Sequence, residues 1–299
     1  MAGRLDEITV VTFPSGSVCE KGRIVHAEIR KVAADEDDRL LVVSDITPFH
    51  PTDHIWSDQP GDIGTAAILG TTIPIIGSLT GAYHPSIDHL LIDREISAPR
   101  SDTEWRFHVV HVLPLHPDID PAELAGEIIT LSVNGSFRSS LNRAHTACHL
   151  MALALNKATK GLWTKEARQD ALGNPNLDQT AIQQSYLVST SSTDKYRFGK
   201  SLRKAGFEAE LFFSQLNVIE KQISEQVGQW IDGGFTVQMV AESPSLNARR
   251  YWEASLADGN VRIPCGGTHV KSSNEIGTVA ITFDRDQIEP ELTIRTSVS

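Results

Sequence analysis

The run LNRAHTACHLMALALNKAT, residues 141–159, decides how the rest of the chain is read. Ala and Leu recur there at helical spacing, with no Gly or Pro between them, so the stretch predicts a helix. Ser140 or Asn142 is the expected N-cap. The period of the sequence changes near residue 139, which divides the chain into an earlier β part and a later mixed part.

Before the helix, VVTF (10–13), RIVHAEIRKV (23–32), RLLVVSDIT (39–47), AAILG (66–70), TIPIIG (72–77), WRFHVVHVL (105–113) and GEIITLSVN (126–134) are short and β-branched. Gly, Pro and Asp bound them, as expected of strands. Asp35-Glu36-Asp37-Asp38 reads as a solvated hairpin tip. Strands at such short intervals predict a small antiparallel β-barrel or sandwich over residues 1–135, the barrel being the preferred reading. After the helix, FEAELFFSQLNVIEKQISEQVGQWI (207–231) is apolar at three- and four-residue steps and stops at Gly233-Gly234. FTVQMVAE (235–242), VRIPCGG (261–267) and EIGTVAITFD (275–284) read as strands. Helices and strands that do not alternate regularly predict an α+β fold, with an antiparallel sheet and helices over residues 136–299. No internal repeat is visible.

Of 299 residues, 40% are hydrophobic and 22% charged, an ordinary globular balance that excludes disordered, collagen-like and coiled-coil chains. The net charge of −11 is uneven. Residues 1–130 hold 9 basic and 21 acidic residues, and residues 131–299 hold 18 and 17. A polyanion is repelled by the first part and tolerated by the second. The pI of about 5.4 argues against a DNA-coating protein. Three cysteines make no disulfide framework, and Asp6 and Glu7 stand where a signal peptide needs an apolar run. The longest uncharged stretch, Ile63 to Tyr83, is broken by four glycines and Pro74. A reducing cytoplasm and no membrane partner are expected.

Phosphate-cradling, dinucleotide and nucleophile-elbow motifs are absent, as are C-x-x-C and H-E-x-x-H. What remains is His145 and His149, one turn apart on one helix face, and Cys265-Gly-Gly-Thr-His269. Gly266 and Gly267 let the backbone turn between the last two ligand types. Three imidazoles and a thiolate suit borderline-soft Zn²⁺. The spacing of the first pair decides little, since HPTDH (50–54) repeats it. The plain alternatives are a polar helix face for the two histidines and a small buried apolar residue for Cys265. Cys148 lies inside the same turn but points elsewhere, and reads as helix core.

HTACHL (145–150) and PCGGTHVKSSNEIG (264–277) together resemble the alanyl-tRNA editing family. These are freestanding AlaX-type deacylases, similar to the editing domains of alanyl- and threonyl-tRNA synthetases. TPFHP (47–51) followed by DQPGDIG (58–64) is similar to the family's T-x-F-[HY]-P…GGGQP-x-D-x-G segment, and DKYRFGK (194–200) more loosely to its R-F-D-F strand. In order these cover about residues 45–280. The chain departs from the family in lacking the three glycines before Gln59 and in carrying TDHIWSD between Pro51 and Gln59. Gly199 replaces the Asp of R-F-D-F, and residues 156–185 look inserted. These departures bear on the acyl pocket more than on the reaction class.

The resemblance implies hydrolysis of the ester that joins a wrong amino acid to the terminal adenosine of tRNA, with Zn²⁺ held by His145, His149, Cys265 and His269. A metal-positioned water is the expected nucleophile, and no side chain is assigned as general base. Gln59, Asp62, Ser189, Gly266, Gly267 and Thr268 are the implied substrate-binding residues, each with an ordinary loop or turn role as its alternative. An alanine pocket cannot exclude glycine and rejects serine imperfectly, so Ser- or Gly-tRNA(Ala) is the expected substrate. Lys195, Arg197, Lys200, Arg203 and Lys204 place five cations in ten residues with no acid between them, the expected tRNA phosphate contact. Arg138, Arg143, Arg249 and Arg250 are candidate extensions of that patch. Two rival functions remain at this level: a metal-dependent hydrolase of a small acyl or amino acid ester, and a non-catalytic zinc-containing RNA-binding module.

Overall fold

Strand pairing follows the β-branched runs. The computed structural model describes residues 5–32, 37–87, 89–99, 101–286 and 288–299. The chain forms two units: Met1–Arg138 with Ala241–Arg250, and Ser139–Val240 with Tyr251–Ser299. Mostly antiparallel sheets and few helices make it a mixed α and β protein.

In the first unit, β1 (Val10–Val11) pairs in parallel with β4 (Ile46–Thr47). The other strands are β2 (Cys19–Lys31), β3 (Asp38–Ser44), β5 (Gly64–Ile68), β6 (Thr71–Ile75), β7 (Gly77–Tyr83), β8 (Leu91–Ile92), β9 (Arg106–Pro114) and β10 (Ile128–Val133). They make an antiparallel sheet of order β6-β5-β10-β2-β3-β9-β7-β8. Lys31 pairs with Asp38 across the first hairpin; Asp35 and Glu36 of its expected tip lie outside the described residues. Leu69 and Gly70 join β5 to β6 as a two-residue turn, with φ of 50° and 82°. Only Ile76 separates β6 from β7, and its amide donates to Val112 O at 2.9 Å.

Alternation along β3 and β9 sends side chains into two different cores. Leu40, Val42, Phe107, Val109 and Leu113 enter one cluster. Leu41, Val43, Val110 and Val112 enter another with Leu5, Leu90 and Ile92. Both faces are therefore covered, and the two strand histidines are buried neutral. His108 Nδ1 meets Thr9 Oγ1 at 3.0 Å and its Nε2 meets Leu5 O at 3.0 Å. His111 Nε2 meets Thr47 Oγ1 at 2.9 Å and its Nδ1 meets Val42 O at 3.0 Å. Burial pushes both pKa values down to about 4. Residues 241–250 add Leu246 to the first core, and the Val11 amide donates to Pro244 O at 2.8 Å.

Helix α1 spans Gly135–Ala158, and its start corrects the expected cap. Asn134 Oδ1, not Ser140 or Asn142, accepts the Phe137 amide at 3.1 Å. Asn134 directly follows β10, so the helix begins where the strand ends. The second unit continues with α2 (Leu177–Ala181), β11 (Ile182–Val188), β12 (Ser191–Arg197), α3 (Lys200–Lys204), α4 (Ala209–Ser214) and α5 (Leu216–Gly233). The helical region expected over about 206–231 holds α4 and α5, which break at Gln215, whose φ of −115° leaves the helical range. The remaining strands are β13 (Val237–Ala241), β14 (Arg250–Leu256), β15 (Gly259–Pro264), β16 (Val279–Arg285) and β17 (Glu291–Val298). They give a sheet of order β11-β12-β17-β16 and a three-stranded sheet β13-β14-β15.

Candidate metal centre

Two segments build the site, both in the second unit. Helix α1 carries His145 and His149 on one face, their rings stacked at 5.0 Å. The β14–β15 hairpin, with Trp252 opposite Ile263 and Tyr251 opposite Pro264, delivers Cys265 immediately after its last residue. The next four residues bring His269 back, its ring 4.3 Å from that of His145 and 4.9 Å from that of His149. The ligand-type atoms of all four residues lie within 4.8 Å of one another. Cys265 Sγ is 3.6 Å from His145 Nε2 and 3.2 Å from His269 Nε2. A tetrahedral Zn²⁺ with bonds of about 2.0–2.3 Å has ligand–ligand edges of roughly 3.3–3.6 Å, and the two sulfur–nitrogen distances lie close to such an edge.

The donor chemistry fits as well. His149 stacks face to face on the fully buried Trp252, at 5.1 Å and 9°. Its Nε2 is buried without a hydrogen-bond partner, a cost that a metal bond would offset. Burial pushes its pKa down to about 4, which keeps the imidazole neutral and its lone pair available at pH 7. A residue missed in the sequence supports the site: Thr146 is fully buried, with Oγ1 3.1 Å from His269 Nδ1. Its place between two ligand candidates in HTACH was the available signal. Cys148 faces away, its Sγ 3.6 Å from each Asp194 carboxylate oxygen. Burial, reinforced by that carboxylate, keeps it a thiol.

The other expected site residues are placed as follows. Thr268 and Gly267 are buried beside the ligands, and Gly266 is exposed. Gln59 is buried in the first unit. Asp62, also there and fully buried, accepts Arg138 Nε at 2.7 Å, with Arg138 Nη2 and the His50 amide on its other oxygen. Its carboxylate ties its own loop to Arg138 and to the His50 amide. That loop is tight: a Cβ on Gly61 would meet Ser78 O at 2.0 Å. Arg138, paired and buried, is unavailable to phosphate, and the same holds for Arg250, buried over the Phe13 ring at 5.0 Å. Arg143 donates to Ile276 O at 2.8 Å, while Arg249 is exposed. Ser189 is exposed in the β11–β12 turn, and the hydroxyls after it, Ser191 to Thr193, are buried on β12. The second H-x-x-x-H pair takes the plain role, His50 edge-on to Phe13 and His54 stacked on Phe107. Lys195, Arg197, Lys200, Arg203 and Lys204 are all exposed.

Fold and site together define an α and β protein with a His/Cys cluster able to hold a metal ion. No family model matches the chain. It is 29% identical over 154 residues to the alanyl-tRNA editing protein AlaX-M of Pyrococcus horikoshii, covering 52% of this chain and 54% of that protein. It is 22% identical over 258 residues to the alanine–tRNA ligase of Methanobrevibacter smithii, covering 83% of this chain and 22% of the ligase. With the alanine–tRNA ligase of Blochmanniella floridana it shares 24% identity over 265 residues, 85% of this chain and 23% of the ligase. The chain is similar to this alanyl-tRNA editing protein and spans about half of its length, and it is similar to about a quarter or less of each ligase.

Proposed function

We propose that the chain is a trans-acting, Zn²⁺-dependent deacylase of mischarged tRNA, with Ser- or Gly-tRNA(Ala) as substrate. The carrying observation is the convergence of three imidazoles and a thiol within 4.8 Å, in a relative of a protein named for alanyl-tRNA editing. His145, His149, Cys265 and His269 would hold the ion, which supplies a Lewis acid for the ester carbonyl. The chain's residues do the rest. Gly266 and Gly267 admit the acyl-adenosine end close to the backbone, and Thr268 offers a polar contact for the amino acid. The five exposed cations of 195–204 meet tRNA phosphates. Ser189, at the rim of its turn, belongs to the same reading as a minor contact.

The N-terminal unit is read as the expected small barrel, supported by the near-continuous path of β6 into β7, which pair with β5 and β9 in turn. A cytoplasmic setting accompanies a tRNA substrate. A second reading, hydrolysis of a small amino acid ester without RNA, is favoured by the 21 acidic against 9 basic residues of 1–130.

The test is a deacylation panel over Ser-, Gly- and Ala-tRNA(Ala), with free amino acid esters alongside, before and after chelation. Turnover of a mischarged tRNA that chelation removes and zinc restores supports the proposal. Turnover of free esters alone selects the second reading, and no turnover at all by zinc-loaded protein overturns both.

A further inference from the structure

We propose that Thr146 is a positioning residue that sets the tautomer of His269; the consequence for metal binding rests on the reading above, while the tautomer itself does not. Thr146 Oγ1 lies 2.8 Å from Asn142 O and 3.1 Å from His269 Nδ1, and it accepts the Val270 amide at 3.3 Å. A hydroxyl has one proton to give. Asn142 O carries none, so the short contact to it takes that proton. The contact to His269 is then a hydrogen bond only if Nδ1 bears hydrogen and donates to Oγ1. In a neutral imidazole the other nitrogen is bare, so the Nε2 lone pair faces Cys265 Sγ, 3.2 Å away. The opposite tautomer would set lone pair against lone pair at Thr146 and aim an N–H at the ligand position. Thr146 thereby ties α1, which carries two of the candidate ligands, to the segment that carries the other two.

The experiment compares wild type, Thr146→Val and Thr146→Ser by ¹⁵N NMR of the His269 ring in metal-free protein, and by zinc affinity in competition with a chromophoric chelator. Wild type shows the Nδ1–H form. Thr146→Val mixes the tautomers and weakens zinc binding by about 10–100-fold, the range for an outer partner of a ligating histidine. Thr146→Ser restores both. A folded Thr146→Val protein that keeps the Nδ1–H form and wild-type affinity overturns the proposal, as does a Thr146→Ser protein that loses both. If wild type itself binds no zinc, the metal reading fails, and the tautomer comparison still decides the role of Thr146.

Discussion

His149 Nε2 is buried with no hydrogen-bond partner, and Cys265 has two imidazole nitrogens within 3.6 Å. His149→Ala and Cys265→Ala should each abolish both zinc retention and deacylation, a larger loss than the ~10–100-fold of an outer-shell change; metal analysis beside the deacylation assay checks this. Arg138 has a different kind of role. Arg138→Met strands the Asp62 carboxylate in the first unit and should lower unfolding free energy by about 3–5 kcal/mol in a denaturant titration. A loss under 1 kcal/mol would show that the pair is not the anchor of its loop. His108 and His111 have folded pKa values of about 4, below the ordinary value of about 6.5. As pH falls the unfolded chain takes up protons first. Stability is therefore complete above about pH 6.5 and declines between there and pH 4, by at most about 3 kcal/mol per residue. His111→Gln should flatten that decline; equal pH profiles for variant and wild type would count against it.

At the scale of elements, α1 was legible because Ala and Leu repeat on a helical period, but its start was not. Ser140 and Asn142 are good capping types, yet the deciding residue is Asn134, which the end of β10 places at the helix mouth. Asn134→Ala should cost about 1 kcal/mol, measurable by thermal or denaturant unfolding. Strands β7 and β12 carry weak signals for related reasons, the second legible chiefly through the resemblance of DKYRFGK to a family strand. GSLTGAY has no run of β-branched residues, and its place in the sheet comes from pairing with β9. SSTDKYR reads as a polar loop, since its buried hydroxyls and Asp194 satisfy one another only after folding; Ser192 Oγ donates to Asp194 at 2.9 Å. The same strand and α3 carry the exposed cations. Lys200→Gln with Arg203→Gln should reduce the slope of log affinity against log salt by about 0.7–0.9 per charge removed. An unchanged slope would place the RNA elsewhere.

Over the whole molecule, the metal cluster was visible in sequence because Cys265 and His269 sit at a rare, glycine-linked spacing, and a later hairpin returns them to α1. The loop chemistry of the first unit was less visible: QPGDIG carries no sign of the partner of Asp62, Arg138, which lies 76 residues on. Insertion of 241–250 into the first unit had no local signature, since Leu246 finds its core only in three dimensions. All of the function proposed here descends from one coordination shell. X-ray absorption at the zinc edge of the purified, zinc-loaded protein measures that shell. Three nitrogen neighbours at about 2.0–2.1 Å and one sulfur at about 2.3 Å are expected, with the sulfur lost in Cys265→Ser. A shell of light atoms alone in the wild type, or no zinc retained, would contradict the account.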